Sequence, residues 1–404
     1  MAKATNYGLI LAGGRGTRFW PRSRKARAKQ VLEFFGEGTL IQQTVSRLAP
    51  VIPPENIWVV TNDLLREEIV RQLPKVPKRQ ILAEPCARNT APAIGLIAHL
   101  LHQDDPNAVL GVFPADHYIT KPARFLRLVR PALKAASQGS LVVLGIQPRW
   151  AETGYGYIEF EPGFTPGEPK AVATRSFREK PKAEVAEEFV KAGNFCWNAG
   201  MFFGKAATFC DAMRAHVPKT AALLAGLPSV RSRNFGAKLA EIFPLCENIS
   251  IDYAVMEKYA GVMGVASDDI GWNDVGSWNA VYELMQRDAA GNAARATQAV
   301  FHASEGNFVD AGGNFNTIGW KPEGQVYFRY AVNAMGTDYT ADAQADIDAN
   351  AANQLWGYAR TASGAAPTVV GSLGCTGVWD SVTSMANLPN QVGPCDGTSG
   401  RSLF

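Results

Sequence analysis

Short apolar or β-branched runs that recur with helical stretches between them constrain this chain more than any other feature. Residues 7–11, 57–61, 109–114 and 141–146 each suit one buried strand and are too short for an ordinary helix. Between such runs, residues 39–48 and 89–102 place apolar side chains at helical spacing, with Pro92 in the first turn of the second. This alternation predicts an α/β domain, Rossmann-like, doubly wound about a mostly parallel sheet. Ligands of such sheets bind beyond the carboxyl ends of the strands. The 404 residues, 47% of them hydrophobic, suffice for one large domain and a smaller one. Composition shifts at Asp288-Ala289-Ala290-Gly291-Asn292, where a Gly-, Ala- and Asn-rich stretch begins. The boundary is placed between Arg287 and Ala299, giving domains over 1–290 and 291–404. No internal repeat of solenoid length is visible.

The formal charge of +3 hides an asymmetry, because residues 301–404 hold four Lys or Arg against nine Asp or Glu, leaving +8 on residues 1–300. A basic main domain suits a small polyanionic ligand, while the dispersal of its charges argues against a nucleic-acid groove. Residues 1–5 contain no apolar h-region and 7–12 cannot span a bilayer, so a cytoplasmic protein without a membrane partner is expected. Cys86, Cys196, Cys210 and Cys246 show neither metal-ligand spacing nor pairing logic, and are expected to be reduced core residues.

The run 7–11 leads into Ala12-Gly13-Gly14-Arg15-Gly16-Thr17-Arg18. Glycines let backbone N–H groups approach phosphate oxygens, and arginines add forked charged donors. The pattern is neither G-x-x-x-x-G-K-[ST] nor G-x-G-x-x-G. Glycines alone would suit a tight βα turn; Arg15, Arg18 and Lys29 make a phosphate cradle the better reading.

The stretch from Leu11 to Arg24, including Phe19-Trp20-Pro21-Arg22, with Lys29-Gln30 after it, resembles the signature of bacterial mannose-1-phosphate guanylyltransferases. Further motifs follow in order: Glu84-Pro85 with Arg88-Asn89-Thr90-Ala91-Pro92, Phe113-Pro114-Ala115-Asp116-His117, Thr153-Gly154-Tyr155-Gly156-Tyr157, and Phe177-Arg178-Glu179-Lys180-Pro181. Trp197-Asn198-Ala199-Gly200, Ile251-Asp252-Tyr253 and Trp272-Asn273-Asp274-Val275-Gly276 complete the set. Departures are Ala28, where the family often has proline, and Arg178, where it has a Val-like residue; neither removes a charged group.

The resemblance implies a GT-A-like nucleotidylyltransferase domain over 1–290 that joins GTP to mannose 1-phosphate with Mg²⁺ as cofactor. It assigns catalysis to Arg15, Arg18, Lys29, Asp116 and Asp274, the two aspartates holding the metal. Nucleotide contacts fall to Leu11, Ala12, Gly13, Gly14, Arg15, Gly16, Thr17, Glu84, Arg88, Asn89 and Thr90. Sugar-phosphate contacts fall to Tyr155, Gly156, Glu179, Lys180, Asn198 and Asp252. A lone strand-end aspartate is more often a cap, and His117 more often a packed histidine than a ligand. Attack by a phosphate anion on a triphosphate needs charge neutralisation and positioning more than a strong base. A uridylyl- or thymidylyltransferase acting on glucose 1-phosphate is the nearest alternative, and a non-catalytic sugar-nucleotide binder or pilus-like protein the more distant one. A homo-oligomer is compatible with the sequence.

Beyond Trp320 the family likeness ends. The chain has no histidine after His302, so a fused cupin isomerase site is not expected. Gly324-Gln325-Val326-Tyr327-Phe328-Arg329-Tyr330, an Ala/Asp/Asn-rich run at 341–354, and the late pair Cys375 and Cys395 faintly resemble the C-terminal part of type IV pilin-like proteins, where such a pair forms a disulfide. Residues 291–318 still weakly resemble the start of the family's C-terminal β-structured region, and a divergent β-rich accessory domain and a chimeric extension are the two readings of the tail beyond Trp320.

Overall fold

The structure is a computed structural model, which describes residues 4–14, 19, 22–23, 27–36 and 38–295, and beyond these the backbone of seven strand segments between 308 and 394. Two compact units divide the chain, one of Met1–Ala294 with Val300–Phe308, the other of Arg295–Ala299 with Val309–Phe404.

The first unit holds a nine-stranded sheet. Its strands are β1 (Asn6–Leu11), β2 (Ile57–Asn62), β3 (Ile81–Glu84), β4 (Val109–Pro114), β6 (Val142–Ile146), β7 (Tyr157–Phe160), β8 (Val172–Arg178), β9 (Phe195–Lys205) and β10 (Met263–Ala266); β5 (Tyr118–Ile119) and β11 (Trp272–Asn273) form a separate pair. Four runs read from the sequence are therefore strands to within a residue or two. The order is β3-β2-β1-β4-β9-β6-β10-β8-β7, parallel across β3-β2-β1-β4 and again between β6 and β10. What the alternation did not announce is β9, which runs antiparallel between β4 and β6 and also pairs with β7. A reversed strand has the same buried apolar composition as its parallel neighbours, so its direction is invisible to periodicity. Through the β7 pairing, β9-β6-β10-β8-β7 closes on itself.

Successive side chains of each strand face opposite sides of the sheet. Leu9, Val60, Leu110 and Val112 pack with α3 (Thr90–Asp104), α6 (Ala206–His216), α7 (Pro218–Ala225) and α8 (Phe235–Ile242). Ile10, Val59, Val109 and Phe113 belong to the core of the other face, with α1 (Leu40–Leu48), α2 (Asp63–Gln72), α4 (Pro122–Ser137) and α5 (Ala183–Ala192). The sheet is doubly wound, as the sequence predicts. Local signals set the ends: Thr39 caps α1 in a capping box with Gln42, and Asn89 caps α3 by accepting from the Thr90 N–H at 2.9 Å. Cys86, Cys196, Cys210 and Cys246 are free thiols, and burial pushes Cys196 up to about 12.

The second unit is antiparallel. Phe328–Met335 pairs with Asp338–Ala345, that strand with Gln354–Arg360, and the last with Val392–Pro394; Val378–Asp380 pairs with Met385–Leu388. Cys375 and Cys395 lie outside the described residues.

The closed ring of strands leaves no room for a side chain at Gly145, Gly204 or Gly264. A Cβ at Gly264 would meet Phe160 Cε1 at 2.5 Å, and Phe160 is fully buried. Gly264→Ala is expected to lower stability by about 1–3 kcal/mol, the usual cost of overpacking. An unchanged urea midpoint would show that the ring yields.

Candidate active site

The ends of β1, β2, β3 and β4 converge on one edge of the sheet, and the chain between β1 and α1 crosses it. Leu11 ends β1; Ala12 turns beneath the surface, with its N–H on Val60 O at 2.8 Å. Ala12 O accepts from Thr61 Oγ1 at 3.0 Å and from Gln30 Nε2 at 2.7 Å, and the same Gln30 nitrogen reaches Gly14 O at 3.0 Å. Gln30, buried, thus props the glycine turn from below. The sequence showed it only as the neighbour of Lys29. Arg15, Gly16, Thr17 and Arg18 lie outside the described residues.

A cavity of about 390 Å³ opens over this turn, lined by Leu11, Gly13, Gly14, Glu84, Asn89, Thr90 and Asp252 among others. Glu84 is one of the polar groups that line it. One of its oxygens, Oε1, is buried without a hydrogen-bond partner, and burial raises its pKa from 4.5 to about 7. Arg88 is not brought to this cavity: its guanidinium donates to Pro244 O, against the segment following α8. Asn89 has φ +66° and holds the N-terminus of α3, while Thr90 Oγ1 accepts from Ile251 N at 2.9 Å.

Beside the cavity, five predicted sugar-phosphate residues form one cluster. Asn198 Nδ2 donates to Asp252 Oδ1 at 2.8 Å, its Oδ1 accepts from Gly200 N at 3.0 Å, and its own N–H donates to Gly156 O at 2.7 Å. Glu179 packs against Gly156 so closely that a Cβ there would stand 2.3 Å from Glu179 Oε2. That oxygen is buried and unpartnered, whereas Oε1 accepts from Lys180 Nζ at 2.8 Å. Asp252 opens a single wide helical turn in which Glu257 N–H reaches back to Asp252 O at 3.0 Å, a geometry frequent at functional sites. Burial, then the nearby Glu179 charge, raises the Asp252 carboxyl to about 6.

Lys29 joins the two aspartates. Its Nζ lies 2.9 Å from Asp116 Oδ2, 2.7 Å from Asp274 O and 2.9 Å from Val275 O, and the residue is 8% exposed. Burial works to raise the Asp116 pKa, but the Lys29 charge and hydrogen bonds outweigh it and hold the carboxyl below its ordinary value. Asp274 Oδ1 accepts from Tyr155 OH at 2.8 Å; burial and that neighbouring carboxylate push the phenol pKa upward, so Tyr155 stays a donor. His117 is buried, its pKa pushed down to about 4 chiefly by desolvation, and its Nδ1 accepts from Trp272 Nε1 at 3.1 Å. It is a packed, neutral histidine, as expected. A second cavity of about 610 Å³ borders Asp274, Tyr155, Lys180, Arg149 and Trp150. Asp116 and Asp274 supply carboxylates and no softer donor, which fits a hard divalent cation that keeps waters and ligand phosphates in its shell.

Three residues other than glycine have positive φ among those described: Asn89, Lys180 and Val275, at +66°, +47° and +48°. All three border this site. For β-branched Val275 the conformation is strained, and it is held by its N–H on Asn273 Oδ1, its C=O on Lys29, and a fully buried side chain in a small cluster with Phe19 and Phe34.

The family described as nucleotidyl transferase matches residues 7–291. The chain belongs to this nucleotidyl transferase family. Within it, the chain is similar to a mannose-1-phosphate guanylyltransferase of Sinorhizobium fredii (strain NBRC 101917 / NGR234), 41% identical over 290 residues, which cover 70% of this chain and 56% of that protein. It is also similar to a mannose-1-phosphate guanylyltransferase of Escherichia coli (strain K12), 36% identical over 333 residues, 80% of this chain and 68% of the relative. The chain thus spans roughly half to two-thirds of the length of such relatives. A solved structure from Thermus thermophilus, described as a mannose-1-phosphate geranyltransferase, matches with a TM-score of 0.67 at 31% identity, covering 83% of this chain and 94% of that one. The motif resemblance and the nucleotidyltransferase fold are both borne out. No helix among the described residues is long and apolar enough to cross a membrane.

The raised Glu84 pKa has a consequence for stability. Between its ordinary value and about 7, the folded protein keeps a proton there that the unfolded chain has released. This contribution is fully present below about pH 4.5 and is lost as pH rises through about 7. Glu84→Gln has no such loss, so its stability relative to wild type is expected to rise from about pH 5 to about pH 8, on the order of 2 kcal/mol. Parallel stability–pH curves for the two proteins would contradict the burial assigned to Glu84.

Proposed function

We propose that the chain transfers GMP from GTP to mannose 1-phosphate, giving GDP-mannose and pyrophosphate. The observation that carries this reading is the juxtaposition, on one sheet edge, of an unpartnered buried carboxylate, a glycine turn, a lysine-bridged aspartate pair and a hydroxyl-binding cluster. The names of the relatives support the choice of nucleotide and sugar.

A phosphate oxygen of mannose 1-phosphate attacks the α-phosphorus; the bond from that phosphorus to its β-bridging oxygen breaks, and the electron pair leaves on pyrophosphate. The nucleophile is already an anion, so no strong base is required. Glu84 offers its free oxygen to the N1–H and exocyclic amine of guanine, while Gly13 and Gly14 let the ligand approach the backbone. Lys29, with Arg15 and Arg18 from the same turn, offsets the charge that gathers on the leaving pyrophosphate. Glu179, Asn198 and Asp252 bind sugar hydroxyls, and Lys180 meets the sugar phosphate. Asp116 and Asp274 would hold Mg²⁺, which would neutralise phosphate charge and orient the reacting groups.

The protein is proposed to act in the cytoplasm as a nucleotidylyltransferase domain over 1–290, with 291–404 as an appendage that supplies none of these groups.

GTP with mannose 1-phosphate is expected to exceed UTP or dTTP with glucose 1-phosphate by at least about tenfold in kcat/KM, since one buried hydrogen-bonding group supplies roughly the 1.4 kcal/mol required. Pyrophosphate release across a matrix of nucleotides and sugar phosphates tests this, and the reverse ranking would assign the chain to the glucose 1-phosphate enzymes. Lys180→Ala is expected to weaken mannose 1-phosphate binding about tenfold or more while leaving GTP nearly unaffected. Equal losses in separate titrations of the two ligands would remove Lys180 from the sugar-phosphate subsite.

A further inference from the structure

The two aspartates sit on separate segments, which Lys29 ties together on one side through the Asp116 carboxylate and the Asp274 carbonyl. Asp116 precedes His117 and β5; Asp274 follows β11. These strands pair antiparallel with Trp272 opposite Ile119 and Asn273 opposite Tyr118. Two residues per strand are too few to hold a register unaided. Alongside them the Trp272 indole N–H donates to His117 Nδ1 at 3.1 Å, and the rings meet edge to face with centroids 5.2 Å apart. The partners are 155 residues apart in sequence, and both are buried, at 5% and 9% exposure. Indole has a single donor and no acceptor, so the direction of the bond is fixed, with His117 Nδ1 accepting. The same segment is held a second time, by Arg149 donating to Trp272 O at 3.3 Å.

We propose that Trp272 and His117 are positioning residues, whose hydrogen bond braces the segments bearing Asp116 and Asp274 and so sets the gap between their carboxylates. The inference rests on the reading that these aspartates face Mg²⁺. The brace acts through them: it adds a side-chain tie to the Lys29 contacts and to the backbone bonds of Thr120 N–H to Gly271 O and Lys121 N–H to Ile270 O, and without it the β5–β11 pair loosens and a buried acceptor on His117 loses its donor. Partners that hydrogen-bond a metal ligand directly are worth about 10- to 100-fold in metal affinity, and a brace that acts through the backbone is expected at the lower end of that range. The effect therefore falls on the cation-dependent part of nucleotide binding and not on the base pocket around Glu84.

The test is calorimetric titration of the full chain with GTP in Mg²⁺ and in EDTA, with no sugar phosphate present so that no turnover occurs. The readout is the factor by which Mg²⁺ tightens GTP. Trp272→Phe keeps a ring but removes the N–H, and His117→Leu removes the acceptor; each is expected to lower that factor about tenfold with EDTA affinity unchanged. His117→Gln, which restores an acceptor, should recover most of it. A merely structural role would lower Tm and the active fraction without changing the factor. The brace is overturned if Trp272→Phe and His117→Leu keep the wild-type factor while Asp116→Asn abolishes it. If Asp116→Asn also keeps it, the cation assignment itself falls, and the brace with it.

Discussion

The ammonium of Lys29 is the contact on which the rest of the site depends. A charge this deeply buried persists only with its partners in place, and here they come from two distant segments: the Asp116 carboxylate, and the carbonyls of Asp274 and Val275. Removing one partner of such a group strands the others, so the three contacts fix one another. The glycine turn is tied to the same point by the next residue, because Gln30 holds the Ala12 and Gly14 carbonyls. One short 3₁₀ turn, Lys29–Val31, thereby connects the glycine turn to both aspartate segments.

That connection explains where backbone strain is tolerated. Val275 at φ +48° costs on the order of 1–3 kcal/mol, and it persists because Lys29, Asn273 and an apolar cluster each hold it. Lys180 at φ +47° is held in a similar way, its N–H on Tyr155 O at 3.2 Å and its ammonium on Glu179. Strain, the wide turn at Asp252 and unpartnered carboxylate oxygens all gather on one edge of the sheet. A fold that obeys local rules elsewhere and breaks them at one place marks that place as the site.

The sequence disclosed the parts of this structure that depend on short-range pattern. Strands β1, β2, β4 and β6 and helices α1 and α3 were legible because buried runs and capped amphipathic stretches are local signals. The motifs also named the residues that meet at the site, including Glu84, Glu179, Asn198 and Asp252. Strand direction and the closure through β7 were not legible, since both depend on pairings between distant segments. Nor could spacing show that Arg88 turns to Pro244, that Gln30 supports the loop, or that Trp272 bonds to His117. Each of those is a tertiary contact made by a residue whose type suits several roles.

The carboxylates of the site divide by environment, and the division matches the work proposed for each. Asp116 faces a buried cation and is held ionised, as a ligand for a metal must be. Burial alone pushes Glu84 up to about 7, and burial together with the Glu179 charge pushes Asp252 up to about 6. Near neutral pH these two stand close to their titration points, so hydrogen-bond donors decide their state. A guanine edge offering two N–H donors to Glu84 would stabilise its anion and draw its pKa back down, so that nucleotide entry expels a proton. Sugar hydroxyls can donate or accept, and so are compatible with either state of Asp252. On the proposed guanine contact, nucleotide entry would be coupled to proton release at Glu84, whereas the lysine-bridged aspartates would play no part in it.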